Sequence, residues 1–371
     1  MKVLLITIDY LPSLGGVATY YAKLKKHWPS SESLDVLDNS HRELSAETGF
    51  LPWLKAFSSV YKATKKENYD YLLAGQILPI GTVCWLLSYI LKKPYAVVIH
   101  GMDFKFALLK TRKKWLAKRI LNKADKVICG NIYTADLVKD FLLQSSKENK
   151  KNKIINKVKV VNPGIEPEEA LRYLGNKQAI DNLKTQYDLV DKTVLFSLGR
   201  LVARKGFDKV LQALSKEKVD FKDLVYVIAG QGEDKDRLEN IAKEVKLPVI
   251  FLENLSNLDK WLWLNLCDIF IMPAREIKGD FEGFGIVYLE ANLASKPVIA
   301  GNSGGVKDAV VDGVNGLMVD PENIEAIARA IVKLQNDNHL RLELGKQGKK
   351  RAEEKFNWQH QAKLFLDYLK E

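Results

Sequence analysis

Two glutamates, Glu282 and Glu290, bracket a segment, Gly279 to Ala291, that opens as a Gly-rich loop and closes as an apolar helix. Gly283 and Gly285, with Phe284 between them, can present backbone N–H groups at the helix N-terminus, a setting that favours anionic and polar ligand atoms. Glu290 falls among Ile286, Leu289 and Leu293, and a carboxylate in so apolar a stretch needs a partner. Eight helical residues rise about 12 Å at about 1.5 Å each, comparable to the span from hexose to ribose in a sugar nucleotide, so the two carboxylates could hold opposite ends of one such molecule. A second cluster precedes it. Gly199 to Gly206 places Arg200, Arg204 and Lys205 in a Gly-bounded loop directly after an apolar run, where cations can neutralise a diphosphate. Arg200 and Lys205 are assigned that role, and Arg204 is read as solvated surface charge.

These residues need strand ends to position them. Short Val- and Ile-rich runs alternate with amphipathic stretches, the pattern of βαβ units around a parallel sheet, and the pattern occurs twice. The first half offers strands at Lys2 to Ile8, Tyr71 to Ala74, Tyr95 to Ile99, Lys126 to Gly130 and Val158 to Val161. The second offers Thr193 to Ser197, Leu224 to Ala229, Pro248 to Phe251, Ile269 to Met272, Pro297 to Ala300 and Gly316 to Val319. Gly turns follow four of them, at Gly15-Gly16, Gly199 to Gly206, Gly230-Gln231-Gly232 and Gly301 to Gly305. In an open parallel sheet, ligands sit beyond such carboxyl ends. No P-loop and no G-x-G-x-x-G opens the first helix, which speaks against ATPase and dinucleotide-dehydrogenase chemistry.

A length of 371 residues supports two domains. We expect residues 1–170 and 171–356 as two Rossmann-like doubly wound α/β domains facing across a cleft, with a final helix, 357–371, packing back on the first. The Lys-rich stretch from Lys147 to Lys159 reads as a solvated loop before the linker. Cys84, Cys129 and Cys267 are odd in number and widely spaced, which argues against a disulfide framework or a structural zinc site and suits a reducing cytoplasm. The apolar stretch Ile77 to Leu91 is too short to span a bilayer and reads as a buried helix.

The net charge of +11 is uneven: residues 1–170 hold 27 Lys and Arg against 16 Asp and Glu, and the remainder balances at 30 against 30. A basic first half points to an anionic surface as partner. Lys110 to Lys123, with Trp115, Leu116 and Ile120 among its cations, reads as a basic amphipathic helix able to lie on anionic lipid. Leu51-Pro52-Trp53-Leu54-Lys55-Ala56-Phe57 is a second such candidate. Packing of these apolar faces into the domain is the competing reading.

Glu282 and Glu290 form an E-x7-E pattern, and with Gly15-Gly16, His100-Gly101-Met102-Asp103, Asn162 to Glu166, the Arg200/Lys205 loop, Ala229 to Gly232 and Ser303-Gly304-Gly305 the chain resembles the retaining GT-B glycosyltransferases of glycosyltransferase family 4. The run from Met272 through Glu290 to Val310 is similar to bacterial phosphatidylinositol mannoside mannosyltransferases, a lean toward GDP-mannose. The resemblance implies transfer of a hexose from a nucleotide-diphosphate sugar to a lipid-linked or oligosaccharide acceptor with retention of configuration, no cofactor and no metal. It implies that Arg200 and Lys205 bind the diphosphate, Glu290 the ribose, and Glu282 with Gly283, Phe284 and Gly285 the hexose. His100 would line the reaction centre, Gly16 would lie under the diphosphate or acceptor, and Gly15 and Asp103 stand on the acceptor side. Phe251 to Ser256 departs from the family where a glycine usually follows a strand at the nucleobase pocket, so the base, guanine or uracil, stays open.

Asp234-Lys235-Asp236 has metal-binding D-x-D spacing but opens a polar helix, where acidic residues favour the helix dipole, and is read as structural. Two other classes share features with this chain. A sugar-nucleotide 2-epimerase could use the same fold without transferring anything, and a non-catalytic carbohydrate or nucleic-acid binding protein would suit the charge. The E-x7-E segment speaks against the first, and the lack of any RNA-binding motif against the second.

Overall fold

The computed structural model describes residues 1–12, 15–40, 42, 44, 53–144, 148–173, 175–216, 221 and 223–371. The chain forms two compact units, Met1–Gly164 with Trp358–Glu371, and Ile165–Asn357. The first boundary falls six residues before the expected 170/171. Helices Pro167–Tyr173 and Lys177–Gln186 follow this boundary and lead into the second unit.

The N-terminal unit holds β1 (Lys2–Ile6), β2 (Ser33–Leu37), β3 (Tyr71–Ala74), β4 (Tyr95–Ile99), β5 (Lys126–Cys129) and β6 (Val158–Val160), in the all-parallel order β2-β1-β3-β4-β5-β6. The C-terminal unit holds β7 (Thr193–Leu198), β8 (Leu224–Ala229), β9 (Val249–Leu252), β10 (Ile269–Met272), β11 (Val298–Gly301) and β12 (Gly316–Val319), in the order β12-β11-β10-β7-β8-β9 and again parallel. Continuous apolar runs become the central strands because helices cover both faces of a parallel sheet. β3, β4, β5 and β8 are buried at every position. Each sheet reverses its direction of growth once, at β1/β3 and at β7/β10, and a doubly wound sheet opens a crevice there.

Several sequence expectations are corrected. β2 was not foreseen: Ser33-Leu34-Asp35-Val36-Leu37 is an edge strand with only Leu34 buried, too polar to stand out as a run. β1 ends at Ile6 rather than Ile8, because the Ile8 N–H turns to the Gln76 side chain. The helix expected over Ile77 to Leu91 starts after Pro79, at Ile80–Ile90. The stretch read as a solvated loop is a helix, Glu148–Lys157, leading into β6. Its Ile154 is buried, and Lys157 donates from Nζ to the carbonyls of Leu121 (2.5 Å) and Asn122 (3.0 Å), satisfying the end of the helix Thr111–Lys123. Burial pushes the Lys157 ammonium down to about 8. Lys147, Leu51 and Pro52 lie outside the described residues.

The final helix, Trp358–Lys370, belongs to the N-terminal unit, where Trp358, Phe365 and Leu366 fill one face of the sheet with Tyr20, Tyr21 and Leu24 of the helix Gly16–Lys26. Among the described residues no helix is long and apolar enough to cross a membrane.

Candidate functional site

In the C-terminal unit, the turn after β7 runs into a short helical turn, Ala203–Lys205, and then the helix Phe207–Leu214. Two of its cations converge on one oxygen: Lys205 Nζ lies 2.5 Å and Arg204 Nη1 2.6 Å from Glu282 Oε2. Burial alone would push the Glu282 carboxyl up, but Lys205 and Arg204 outweigh it and hold the carboxyl below its ordinary value. Arg204 also reaches Asp280, Nε to Oδ2 at 3.3 Å. The reading of Arg204 as solvated surface charge is therefore corrected, since its side chain is only 15% exposed and ion-paired with two carboxylates. The sequence signal was its place next to Lys205 in the same Gly-bounded loop.

Arg200 stays exposed at the mouth of a cavity of about 320 Å³ whose walls also include Arg204, Gly232, Glu233 and Asp280. Glycines bring the strand-end turns of this unit together. A Cβ on Gly230, at φ 147°, would meet the Gly199 carbonyl oxygen at 1.9 Å, so the two strand-end turns touch backbone to backbone. Gly304, at φ 55°, sits against the Glu282 carbonyl oxygen, which also accepts from the Gly305 N–H at 2.9 Å. That contact ties the β11 turn to the carboxylate it backs.

The helix Ile286–Leu293 starts at Gly285, and Glu290 on its second turn finds the partner its surroundings demand: Lys260 Nζ, 2.7 Å away. Lys260 went unrecognised in sequence, although it is the one cation of the apolar helix Asn257–Leu266. Phe284 turns its ring into the core against Phe356, so only its backbone is left for a ligand. Beneath this floor Arg275 and Asp208 form a buried pair, Nη2 to Oδ2 at 2.8 Å, and the Arg275 N–H donates to the Arg204 carbonyl at 2.8 Å. Asp234 stands at the N-cap position of the helix Lys235–Ala242 without a capping bond from its side chain, which instead takes Arg237 on both oxygens, at 2.6 and 2.7 Å.

In the N-terminal unit the strand ends of β1, β3 and β4 collect a different set. His100, just past β4, is held edge-on by the rings of Tyr20 and Tyr21, with centroids 5.1 and 5.3 Å away. Tyr21 donates its hydroxyl proton to the Gly75 carbonyl (2.5 Å) and so must accept at 2.9 Å from His100 Nε2. That puts a proton on Nε2, so that in the neutral imidazole the lone pair is on Nδ1. Burial pushes the imidazole down to about 4. Asp103 accepts the N–H groups of His100 and Gly101 on Oδ1, both at 3.0 Å, whereas Oδ2 is buried with no partner. Burial pushes its carboxyl up to about 6 in spite of those N–H donors. Gln76 joins the β1 and β3 ends, donating to Asp9 at 2.9 Å while its Oε1 accepts the Ile8 N–H at 3.2 Å. Tyr21 and Gln76 were not singled out in sequence. Gly15 and Gly16 open the helix Gly16–Lys26, and a Cβ on either would meet nothing within 4 Å.

Residues 179–351 match the family described as Glycosyl transferases group 1. The chain is 27% identical over 373 residues to an uncharacterized glycosyltransferase of Methanocaldococcus jannaschii, covering 97% of this chain and 95% of that one. It is 25% identical over 386 residues to the GDP-mannose-dependent alpha-(1-6)-phosphatidylinositol monomannoside mannosyltransferase of Mycolicibacterium smegmatis, covering 99% and 97%. Among solved structures, Anabaena HepE in complex with UDP superposes with a TM-score of 0.77 at 18% identity over the whole of both chains, a likeness of GT-B fold.

Proposed function

We propose that this chain, whose residues 179–351 match a group 1 glycosyltransferase domain, is a retaining hexosyltransferase that moves mannose from GDP-mannose, or otherwise the sugar of a UDP-sugar, to a lipid-linked or glycan acceptor without a metal ion. The observation that carries the reading is the convergence of Lys205 and Arg204 on Glu282 beside the cavity at Arg200. A diphosphate offers those cations a more highly charged partner than a single carboxylate, and its arrival frees Glu282 to accept from sugar hydroxyls. Glu290, placed by Lys260, accepts from the ribose. Charge developing on the departing phosphate is then met by cations already in place, so catalysis comes from electrostatic stabilisation and positioning rather than from a protein nucleophile. The leaving phosphate oxygen helps deprotonate the acceptor hydroxyl on the same face. In the N-terminal unit, neutral His100 offers its Nδ1 lone pair as a hydrogen-bond acceptor for an acceptor hydroxyl, and Asp103 holds the turn that carries it.

The lean toward GDP-mannose rests on the mycobacterial-type relative, which names that donor. The basic N-terminal half supports a cytoplasmic enzyme, peripheral on an anionic membrane, consistent with a lipid-linked acceptor. Thermal unfolding with GDP, UDP and ADP, each with and without EDTA, tests the donor assignment, since a ligand of the native state raises its apparent stability. The expected outcome is a shift with GDP that EDTA leaves unchanged; a shift that EDTA abolishes would remove the metal-independent reading. NMR of the anomeric proton in the product decides retention.

A further inference from the structure

Among the described residues the exposed large aromatic side chains are Tyr89, Phe106 and Trp115, at 58, 58 and 54% exposure. Ile90, at 58%, and Leu109, at 74%, stand beside them in the sequence. The same stretch is strongly cationic: residues 80–123 hold ten Lys and Arg and a single acidic residue, Asp103, which belongs to the strand-end site. Exposed apolar area and positive charge therefore coincide.

Geometry links them. On the helix Thr111–Lys123, residues Trp115, Arg119 and Lys123 recur every fourth position and so share a face. The Arg119 guanidinium lies over the Trp115 ring at 5.2 Å, and Lys123 Nζ over the Tyr89 ring at 5.1 Å. The row thus continues from this helix onto the end of the helix Ile80–Ile90, where Trp85 backs Tyr89 edge-on. Ala117, Ile120 and Leu121 bury the opposite face in the core, so the packing of the helix is already satisfied without the aromatic row. Leu109 and Lys110 form the link into the helix, with Phe106 just before it.

From this placement we propose that the row Tyr89, Lys123, Arg119 and Trp115, with Ile90 and Leu109, is a docking face for an anionic lipid bilayer. The proposal rests on the peripheral-membrane part of the proposed function and assigns it to a surface. Tyr and Trp rings under cations suit the headgroup level, where the ring body enters the apolar boundary and the charge meets lipid phosphate. Aliphatic side chains as exposed as Leu109 and Ile90 gain free energy from burial in acyl chains and nothing comparable from a nucleic acid, which the cations alone would also attract.

The test is cosedimentation of the full chain with phosphatidylglycerol–phosphatidylcholine vesicles and with pure phosphatidylcholine vesicles at low salt. Wild-type protein is expected to bind the anionic vesicles and not the neutral ones. Trp115→Ser with Leu109→Ser should weaken binding at least tenfold, and Arg119→Gln with Lys123→Gln should weaken it about fivefold per charge removed. All four side chains are exposed, so unchanged thermal unfolding of the variants checks that folding is intact. If wild type binds and the variants bind equally well, the face is wrong while the peripheral reading stands. If wild type binds no vesicle, both fall, and binding of an RNA probe lost in the same charge variants would assign the row to a nucleic acid instead.

Discussion

At the strand ends of the C-terminal unit the polar side chains are charged and paired, Lys205 and Arg204 on Glu282 and Lys260 on Glu290. At the strand ends of the N-terminal unit burial works against charge, pushing the His100 imidazole down to about 4 and the Asp103 carboxyl up to about 6. The same sheet architecture thus presents opposite electrostatics at corresponding places. On the proposed function, the cations of the C-terminal unit exchange a resident carboxylate for a diphosphate, whereas a group that accepts a proton-bearing hydroxyl is useful only while its lone pair is free. The difference suits the two partners of the proposed function, a polyanion for one unit and a neutral hydroxyl for the other, and each variant below would break or sharpen it.

The largest effect is expected at Lys205. Lys205→Ala leaves Glu282 with Arg204 alone and removes a cation from the departing phosphate, and losing one such preorganised group typically costs about 10²- to 10³-fold in kcat. Steady-state turnover of Lys205→Ala and Arg200→Ala measures it; near-normal rates in both would leave the charged half of the comparison without a catalytic meaning. Glu290→Gln should act on donor affinity instead. Losing a charge-assisted hydrogen bond of about 1.5–3 kcal/mol predicts a KM for donor raised roughly ten- to a hundredfold, with kcat less affected. An unchanged KM would show that the Lys260–Glu290 pair only staples two helices together.

Much of this was legible in the sequence because parallel strands buried on both faces are plain apolar runs, and because Glu290 in an apolar helix announces a missing partner. Eleven of the twelve strands lie where such runs occur. β2 escaped because an edge strand with one buried residue is written in polar letters. Lys260 and Tyr21 escaped for another reason: each meets its partner across 30 and 79 residues of chain, Glu290 and His100 respectively, and no local pattern encodes such a meeting. Arg204 was misjudged because one-dimensional spacing cannot tell which of two neighbouring cations turns inward. The helix Glu148–Lys157 was misread because its purpose, an ammonium aimed at the carbonyls of another helix end, depends on that same long-range folding.

A smaller effect is expected in the neutral half. Tyr21→Phe strips the Gly75 carbonyl of its donor and His100 Nε2–H of its acceptor, a loss of about 1–3 kcal/mol in stability. The imidazole ¹⁵N resonances should then lose the signature of a single Nε2-protonated tautomer. An unchanged spectrum would mean that something other than Tyr21 sets the proton's place.

The smallest effect, and the one most specific to the comparison, is in the pH dependence of stability. With its pKa lowered from 6.5 to about 4, His100 binds a proton in the unfolded chain but not in the folded one between those values, so its contribution falls as pH drops from 6.5 toward 4. Asp103, raised from 3.8 to about 6, binds a proton in the folded chain but not in the unfolded one, so its contribution falls as pH rises from 3.8 toward 6. Between about 4 and 6 each state holds one proton on this pair, and the two slopes cancel. Asp103→Asn keeps an acceptor for the His100 and Gly101 N–H groups and leaves the histidine slope alone, so stability relative to wild type should decline toward low pH. His100→Asn leaves the carboxyl slope and should decline toward high pH. Both groups keep some solvent contact, which holds each slope below about 1 kcal/mol per pH unit. Denaturant unfolding across this range reads both, and parallel curves for the two variants would show that the N-terminal strand ends do not oppose charge in the way that sets them apart from the Lys205–Glu282 cluster.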